Sequence, residues 1–272
     1  MTKMVRWIHV SDLHLGNDDA VDTILMRKML PEYIRGLGKE FDYMFCTGDI
    51  KEWNSDYSTA IDYLRELCKA SHIELENLFI VPGNHDIDTN IEGREELINR
   101  LKDWNSDYYK SNSGIISIDD YSLLRQGEIA FIQFISDLLG KERAGKYKSP
   151  HFTIATKDFN IVHVDTAMTY GRKSDSNFII GTRLFMDAIE QCDNSKPTFI
   201  LSHYSFNFLE QDERNKVAFL LKNHIVAFWL AGHEHSNLIT PQRNLFFECQ
   251  SGNVTTQKGS NGKVLSRYGI DR

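Results

Sequence analysis

An α/β layered fold is predicted by three observations. Short apolar runs alternate with longer amphipathic stretches, and most of the apolar runs close on a glycine or a polar cluster. The chain, at 272 residues with 41% hydrophobic and 25% charged residues, is long enough for one good core. Alternating strands and helices place ligand sites at strand ends.

The elements follow in order. "VRWIHV" (5–10) reads as a buried strand, "AVDTILMRKMLPEYIRGL" (20–37) as a helix, "YMFCTG" (43–48) as a strand, "YSTAIDYLRELCKAS" (57–71) as a helix and "LFIVPG" (78–83) as a strand. From about 88 to 160 the rhythm breaks. Helical pieces ("EGREELINRLKDWNSDYY", "EIAFIQFISDLLG") and the partly basic "KERAGKYKSPHF" make an insertion too long for a simple connection, which predicts a mainly helical cap beside the site; a helical pair merely packed on the core is the competing reading. Strand and helix then resume through "NIVHVDT", "GTRLFMDAIEQC", "TFILSHYS", "ERNKVAFLLKNH" and "AFWLAGH". A single domain over 1–272 is expected. The polar tail "TTQKGSNGKVLSRYGIDR" points either to a short final strand or to the catalytic domain of a longer chain.

The formal charge of −7 argues against a surface built mainly to hold nucleic acid, and does nothing to exclude a phosphorylated small substrate. Cys46, Cys68, Cys192 and Cys249 lack CxxC spacing, so they read as free thiols in a reducing compartment. With no apolar signal segment before the first strand and no run long enough to span a bilayer, a cytoplasmic protein with no membrane partner is expected. Nothing in the sequence sets an oligomeric state.

Polar groups collect at the strand ends. "SDLHLG" delivers Asp12 and His14, whose i, i+2 spacing in a strand would send both to one side. "CTGDI" delivers Asp49, "VPGNHD" delivers Asn84, His85 and Asp86, "LSHYS" delivers His203, and "AGHEH" delivers His233 and His235. A lone histidine beside an apolar strand is usually a core residue. Five strand ends that together supply this set are hard to explain as packing, because buried charges and imidazoles are costly unless paired or bound to metal. Gly48, Gly83 and Gly232 suit close turns there.

These motifs, D-x-H, G-D, G-N-H-D, a lone H and G-H-x-H in that order, resemble those of the calcineurin-like metallophosphoesterases, over residues 5 to 240. The resemblance implies a four-layer α/β/β/α sandwich with a two-metal centre at its strand ends. It implies Asp12, His14 and His235 on one metal, Asn84, His203 and His233 on the other, and Asp49 bridging. Two divalent ions about 3.5–4 Å apart would hold a bridging hydroxide for in-line attack on phosphorus. Oxygen and imidazole ligands without thiolate suit Mn, with Fe, Zn or Co as alternatives. His85 is the family's non-ligand histidine, expected to stabilise developing charge, a role worth about 10²–10⁴ in rate. Glu52, three residues after the bridging aspartate, is its expected orienting partner, and Asp86 is expected either behind the ligands or as a helix cap.

The remaining histidines, His9, His72, His151, His163 and His224, match no motif and read as structural; His163 and Asp165 imitate the first motif and read as core. Arg172 and Lys173, after "NIVHVDT", are candidate cations for a substrate phosphate, against a reading as solvated loop charges beside Asp175. Three functions compete: a phosphodiesterase or phosphatase acting on a nucleotide-like substrate, which is favoured; a DNA nuclease, kept in play by Lys141, Arg143, Lys146 and Lys148; and a non-catalytic scaffold, which would have lost ligands.

Overall fold

The computed structural model describes residues 4–16, 21–103, 117–171, 176–242 and 245–252, with backbone alone at 21–23 and 118, and the backbone of two short strands near the carboxyl end. Strands β1 (Trp7–Val10), β2 (Tyr43–Cys46) and β3 (Leu78–Ile80) form a parallel sheet in that order. Parallel neighbours need long crossovers, and helices α1 (Val21–Gly36) and α2 (Ser58–Ser71) supply them. All four residues of β2 are buried because the sheet is covered on both faces. Alternation sends Met44 and Cys46 to the outer core, with Leu64 and Leu67 of α2. It sends Tyr43 and Phe45 inward, where they meet Ile161, Phe199, Leu201 and Leu230 of a second sheet.

Four helices follow β3 in the described residues. α3 (Arg94–Lys102) and α4 (Ile118–Gln126) form a satellite cluster through Leu97, Ile98, Leu101 and Leu124, with Met168 and Ile179. α5 (Ile129–Leu139) and α6 (Lys141–Lys146) bury Phe131, Phe134, Ile135 and Ala144 in the same outer core as α2. Tyr57 stacks on Phe134 at 4.4 Å. Among the described residues the stretch expected as a cap therefore divides: its second half is core and ends in a strand, and α3 and α4 pack in a cluster of their own. Arg143, from the basic run, donates to the carbonyls of Leu78 (3.2 Å) and Glu76 (2.7 Å), at the amino end of β3.

The second sheet has six strands, β4 (His151–Ala155), β5 (Asn160–Val164), β6 (Thr198–Leu201), β7 (Val226–Ala231), β8 (Leu238–Gln242) and β9 (Phe246–Gln250), in the order β4-β5-β6-β7-β9-β8. β5, β6, β7 and β9 run parallel, and β4 and β8 are antiparallel edges. An edge tolerates Pro241, which has no N–H to give to a ladder. Helices α7 (Thr182–Ile189) and α8 (Gln211–Leu221) cover the outer face, packing Phe185, Ile189, Val217 and Leu221 on Val162, Ile200 and Trp229. The layers are α/β/β/α, as expected. In the tail, β10 (Gln257–Lys258) and β11 (Val264–Leu265) pair as a short antiparallel ladder.

Candidate metal centre

The carboxyl ends of β1, β2, β3, β6 and β7 meet at one edge of the sandwich. Backbone bonds tie them: Asp12 N to Gly48 O (3.0 Å), His14 N to Asp49 O (3.0 Å), Val81 N to Cys46 O (3.0 Å) and Gly232 N to His203 O (2.9 Å). A side-chain carbon at Gly83 would overlap the Asp49 carboxylate, so the approach of these two loops requires glycine there.

The convergence of Asp12 and His14 has a different cause from the one the spacing suggested. β1 ends at Val10, and both residues have left-handed backbones, φ 54° and 42°. Asp49 (50°), His233 (70°) and His235 (51°) share this conformation, so that five of the seven described non-glycine residues at positive φ belong to one cluster. Each costs about 1–3 kcal/mol and persists only where surrounding contacts over-determine it. Here those contacts include Arg27 of α1, whose guanidinium donates to the carbonyl of His14.

The ligand atoms are close. One atom from each of Asp12, His14 and His235 lies within 4.8 Å of the others, and the same holds for Asp12, Asp49 and His203, and for His14, Asp49 and His85. His235 Nε2 is 3.2 Å from Asp12 Oδ1, and His203 Nε2 is 3.5 Å from Asp49 Oδ1. Asn84 Oδ1 lies 3.0 Å from His203 Nε2, and the His203 and His233 ring centroids are 5.4 Å apart. All seven expected ligands are thus brought together. Asp12 enters two of the groups, so Asp49 is not alone in its central position.

One contact tests whether cations fit. His203 Nδ1 lies 2.8 Å from the carbonyl of Thr47, which can only accept, so Nδ1 carries the proton and Nε2 of the neutral ring carries a lone pair. Burial holds the ring neutral, its pKa down to about 4. That lone pair faces the Asn84 carbonyl oxygen, acceptor against acceptor, an arrangement satisfied by a cation between them. Burial pushes the Asp12 carboxyl up, but His235, His203 and His14 outweigh it and hold it low. Burial and the charges of Asp12 and Asp86 push Asp49 well above the carboxylate range. Two buried carboxylates, one of them held up partly by the other, and imidazoles without a thiolate are a donor set for borderline or hard divalent ions.

His85 stands at the rim, its side chain 16% exposed against 0% for His203. Its Nδ1 lies 2.9 Å from Glu52 Oε1, and the other Glu52 oxygen is 3.6 Å from His14 Nδ1, so one carboxylate spans both rings. The His85 contact holds the Glu52 carboxyl down, to about 2. Asp86 points elsewhere. It accepts from Gly83 N (2.9 Å), Ile50 N (3.3 Å) and the Tyr57 hydroxyl (3.0 Å), which braces the loop that carries Asn84 and His85.

Sequence reasoning passed over two neighbours of His85. Lys51 Nζ donates to the carbonyls of His85 (3.0 Å), Glu52 (3.3 Å) and Trp53 (3.3 Å), and the Trp53 ring lies 4.4 Å from the His85 ring. Their signal was position alone, directly after the Gly48–Asp49 turn. Arg172, Lys173 and Asp175 lie outside the described residues.

Residues 5–237 match the model of the calcineurin-like phosphoesterase family. The chain belongs to that family. It is 25% identical, over 96% of its own length, to an uncharacterized metallophosphoesterase-like protein, YydB, of Bacillus subtilis (strain 168), and spans 56% of that relative. Its fold is similar to that of a dimetal phosphatase from Danio rerio (TM-score 0.50, 13% identity, covering 92% of this chain and 88% of that one). It is also similar to purple acid phosphatase PPD1 from yellow lupin, Lupinus luteus (TM-score 0.55, 13% identity, covering 92% and 44%). Family membership and the grouping of these side chains make the cluster a candidate metal-binding site.

Proposed function

We propose that this domain hydrolyses a phosphodiester of a nucleotide-like substrate with two divalent ions, manganese being favoured over iron, zinc or cobalt. The observation that carries the metal part is the lone pair of His203 Nε2 facing the Asn84 oxygen at 3.0 Å. Bound ions supply Lewis acidity at the phosphoryl oxygens and bring the pKa of water near neutrality.

The chain's own residues do the rest. Asp12, His14 and His235 would hold one ion, Asn84, His203 and His233 the other, with Asp49 between. Thr47 fixes the tautomer of His203 through its carbonyl. With Nδ1 of His85 held by Glu52, Nε2 is the atom left to face the substrate and meet charge developing on the phosphoryl group or leaving oxygen. The nuclease reading rested on the basic run at 141–148. Its Arg143 is spent at the amino end of β3, whereas Asn84 and His85 follow the carboxyl end. The scaffold reading would need missing ligand residues, and the chain keeps a side chain of the expected type at all seven positions. Four buried cysteines, none of them in a disulfide, suit a cytoplasmic setting, and no described helix is long and apolar enough to cross a membrane.

Metal analysis and kinetics after reconstitution with manganese test the reading. About two ions per chain and hydrolysis of bis-p-nitrophenyl phosphate are expected. DNA cleavage that falls steeply with salt, without any action on nucleotide diesters, would put the nuclease first.

A further inference from the structure

Trp53 has no place in the core. The four buried apolar clusters of the described residues do not include it, and its indole stays half-exposed beside the centre. It packs instead on His85, ring centroids 4.4 Å apart and planes 34° apart. Tyr170, from the turn after β5, continues the row: its ring centroid is 5.7 Å from the same indole with planes 31° apart, and it too is partly exposed. Asp12 and His203 are fully buried while His85, Trp53 and Tyr170 are partly exposed, so the aromatic row lies on the side from which a phosphate would reach the cluster.

The backbone that carries the row is held at both ends, at Tyr170 by Arg94, which donates to its carbonyl (2.7 Å), and at Trp53 by its neighbours. Trp53 N donates to Glu52 Oε1 (3.1 Å), Lys51 holds the Trp53 and His85 carbonyls, and Ser55 N donates to the Glu52 carbonyl (3.1 Å). A rigid aromatic surface loses little entropy when a flat ring stacks on it.

We propose that Trp53 and Tyr170 form a stacking subsite for the base of a nucleotide whose phosphate lies at His85. The proposal rests on the phosphoester reading above and adds what selects the substrate. Stacking accepts every base, since each has a π-face, so the subsite separates nucleotides from simple alkyl phosphates and discriminates little between adenine and thymine.

Calorimetric titration of the metal-loaded chain with AMP, TMP and methyl phosphate decides it, because all three carry the same phosphate monoester and turnover is not needed. AMP and TMP should bind at least about tenfold more tightly than methyl phosphate. Trp53→Ala and Tyr170→Leu should each shrink that ratio severalfold, and Trp53→Phe should keep most of it. Tyr170→Leu guards the test, since Trp53→Ala also removes a support of His85. Equal affinity of wild type for AMP and methyl phosphate overturns the subsite and leaves the phosphoester reading standing. Equal weakening of both ligands in both variants makes the row a prop for His85 and overturns it as well. Failure of wild type to bind any of the three overturns the subsite, and hydrolysis of bis-p-nitrophenyl phosphate by the same sample then decides the phosphoester reading separately.

Discussion

An aspartate and a histidine two residues apart occur twice in this chain, as Asp12 and His14 after β1 and as His163 and Asp165 at the end of β5, and the two pairs have opposite surroundings. Asp165 is neutralised by its own protein. Arg125 Nη1 lies 3.2 Å from its carboxylate and also reaches Glu128. His163 lies stacked on Phe152, centroids 4.3 Å apart, and burial holds it neutral with a pKa down to about 3. Around Asp12 and Asp49, by contrast, the ion-pair partners among the described residues are all histidines. The backbone differs too, since Asp12 and His14 sit at positive φ and His163 lies within a regular strand. The cluster at Asp165 carries its own cation; one that holds carboxylates and imidazoles without an arginine or lysine among its described ion-pair partners suits cations from outside.

Removing the centre of the open cluster should break the comparison most visibly. Asp49→Ala is expected to take metal content from about two ions per chain to near zero, and hydrolysis with it. Metal analysis of the variant checks this; retention of both ions would mean that Asp12, present in two of the ligand groups, is the true bridge.

Next comes the closed cluster. Arg125→Leu leaves two buried carboxyl groups, Glu128 and Asp165, 1% and 2% exposed in their side chains, without their cation, and should cost about 3–5 kcal/mol in chemical denaturation. Metal content per folded chain should stay at the wild-type value. A loss of both stability and metal would show that the clusters are not independent.

His85→Ala separates chemistry from metal binding within the open cluster. It should keep its ions while kcat on an aryl phosphodiester falls at least about a hundredfold. Steady-state kinetics beside metal analysis read both quantities, and a wild-type kcat would assign the role to another group.

Much of this was legible in the sequence, and the reasons differ by element. β2 and β3 were readable as unbroken apolar runs because both faces of the first sheet are covered. The polar cluster was readable because each of its groups follows such a run, at a position where packing gives no reason for it. What could not be read is what depends on contacts far apart in the chain. The spacing of His163 and Asp165 carries no mark that Arg125, forty residues earlier, closes the charge. The helical pattern of α5 is amphipathic whether it caps a site or lies on β2 and α2. Even the convergence expected of Asp12 and His14 arises from another cause, for spacing alone does not distinguish strand alternation from two left-handed turns.

The smallest expected effect lies in how the closed cluster answers to pH. Burial, then the charge of Asp165, pushes the Glu128 carboxyl well above the 4.5 of a free glutamate, against the pull of Arg125. A carboxyl raised on folding binds its proton more tightly in the folded chain. Its contribution to stability is therefore complete below the unfolded value near 4.5 and is lost as pH rises through the folded one. Glu128→Gln replaces the protonated acid by a neutral amide of the same shape, which still offers an oxygen to Arg125. Stability of the variant should match wild type most closely at the acid end and decline less as pH rises, a change of slope read by urea denaturation at several pH values. Equal slopes would show that Glu128 folds ionised, with Arg125 overriding burial. The closed cluster would then be an ordinary buried ion pair, and its contrast with Asp12 and Asp49 would rest on the arginine alone.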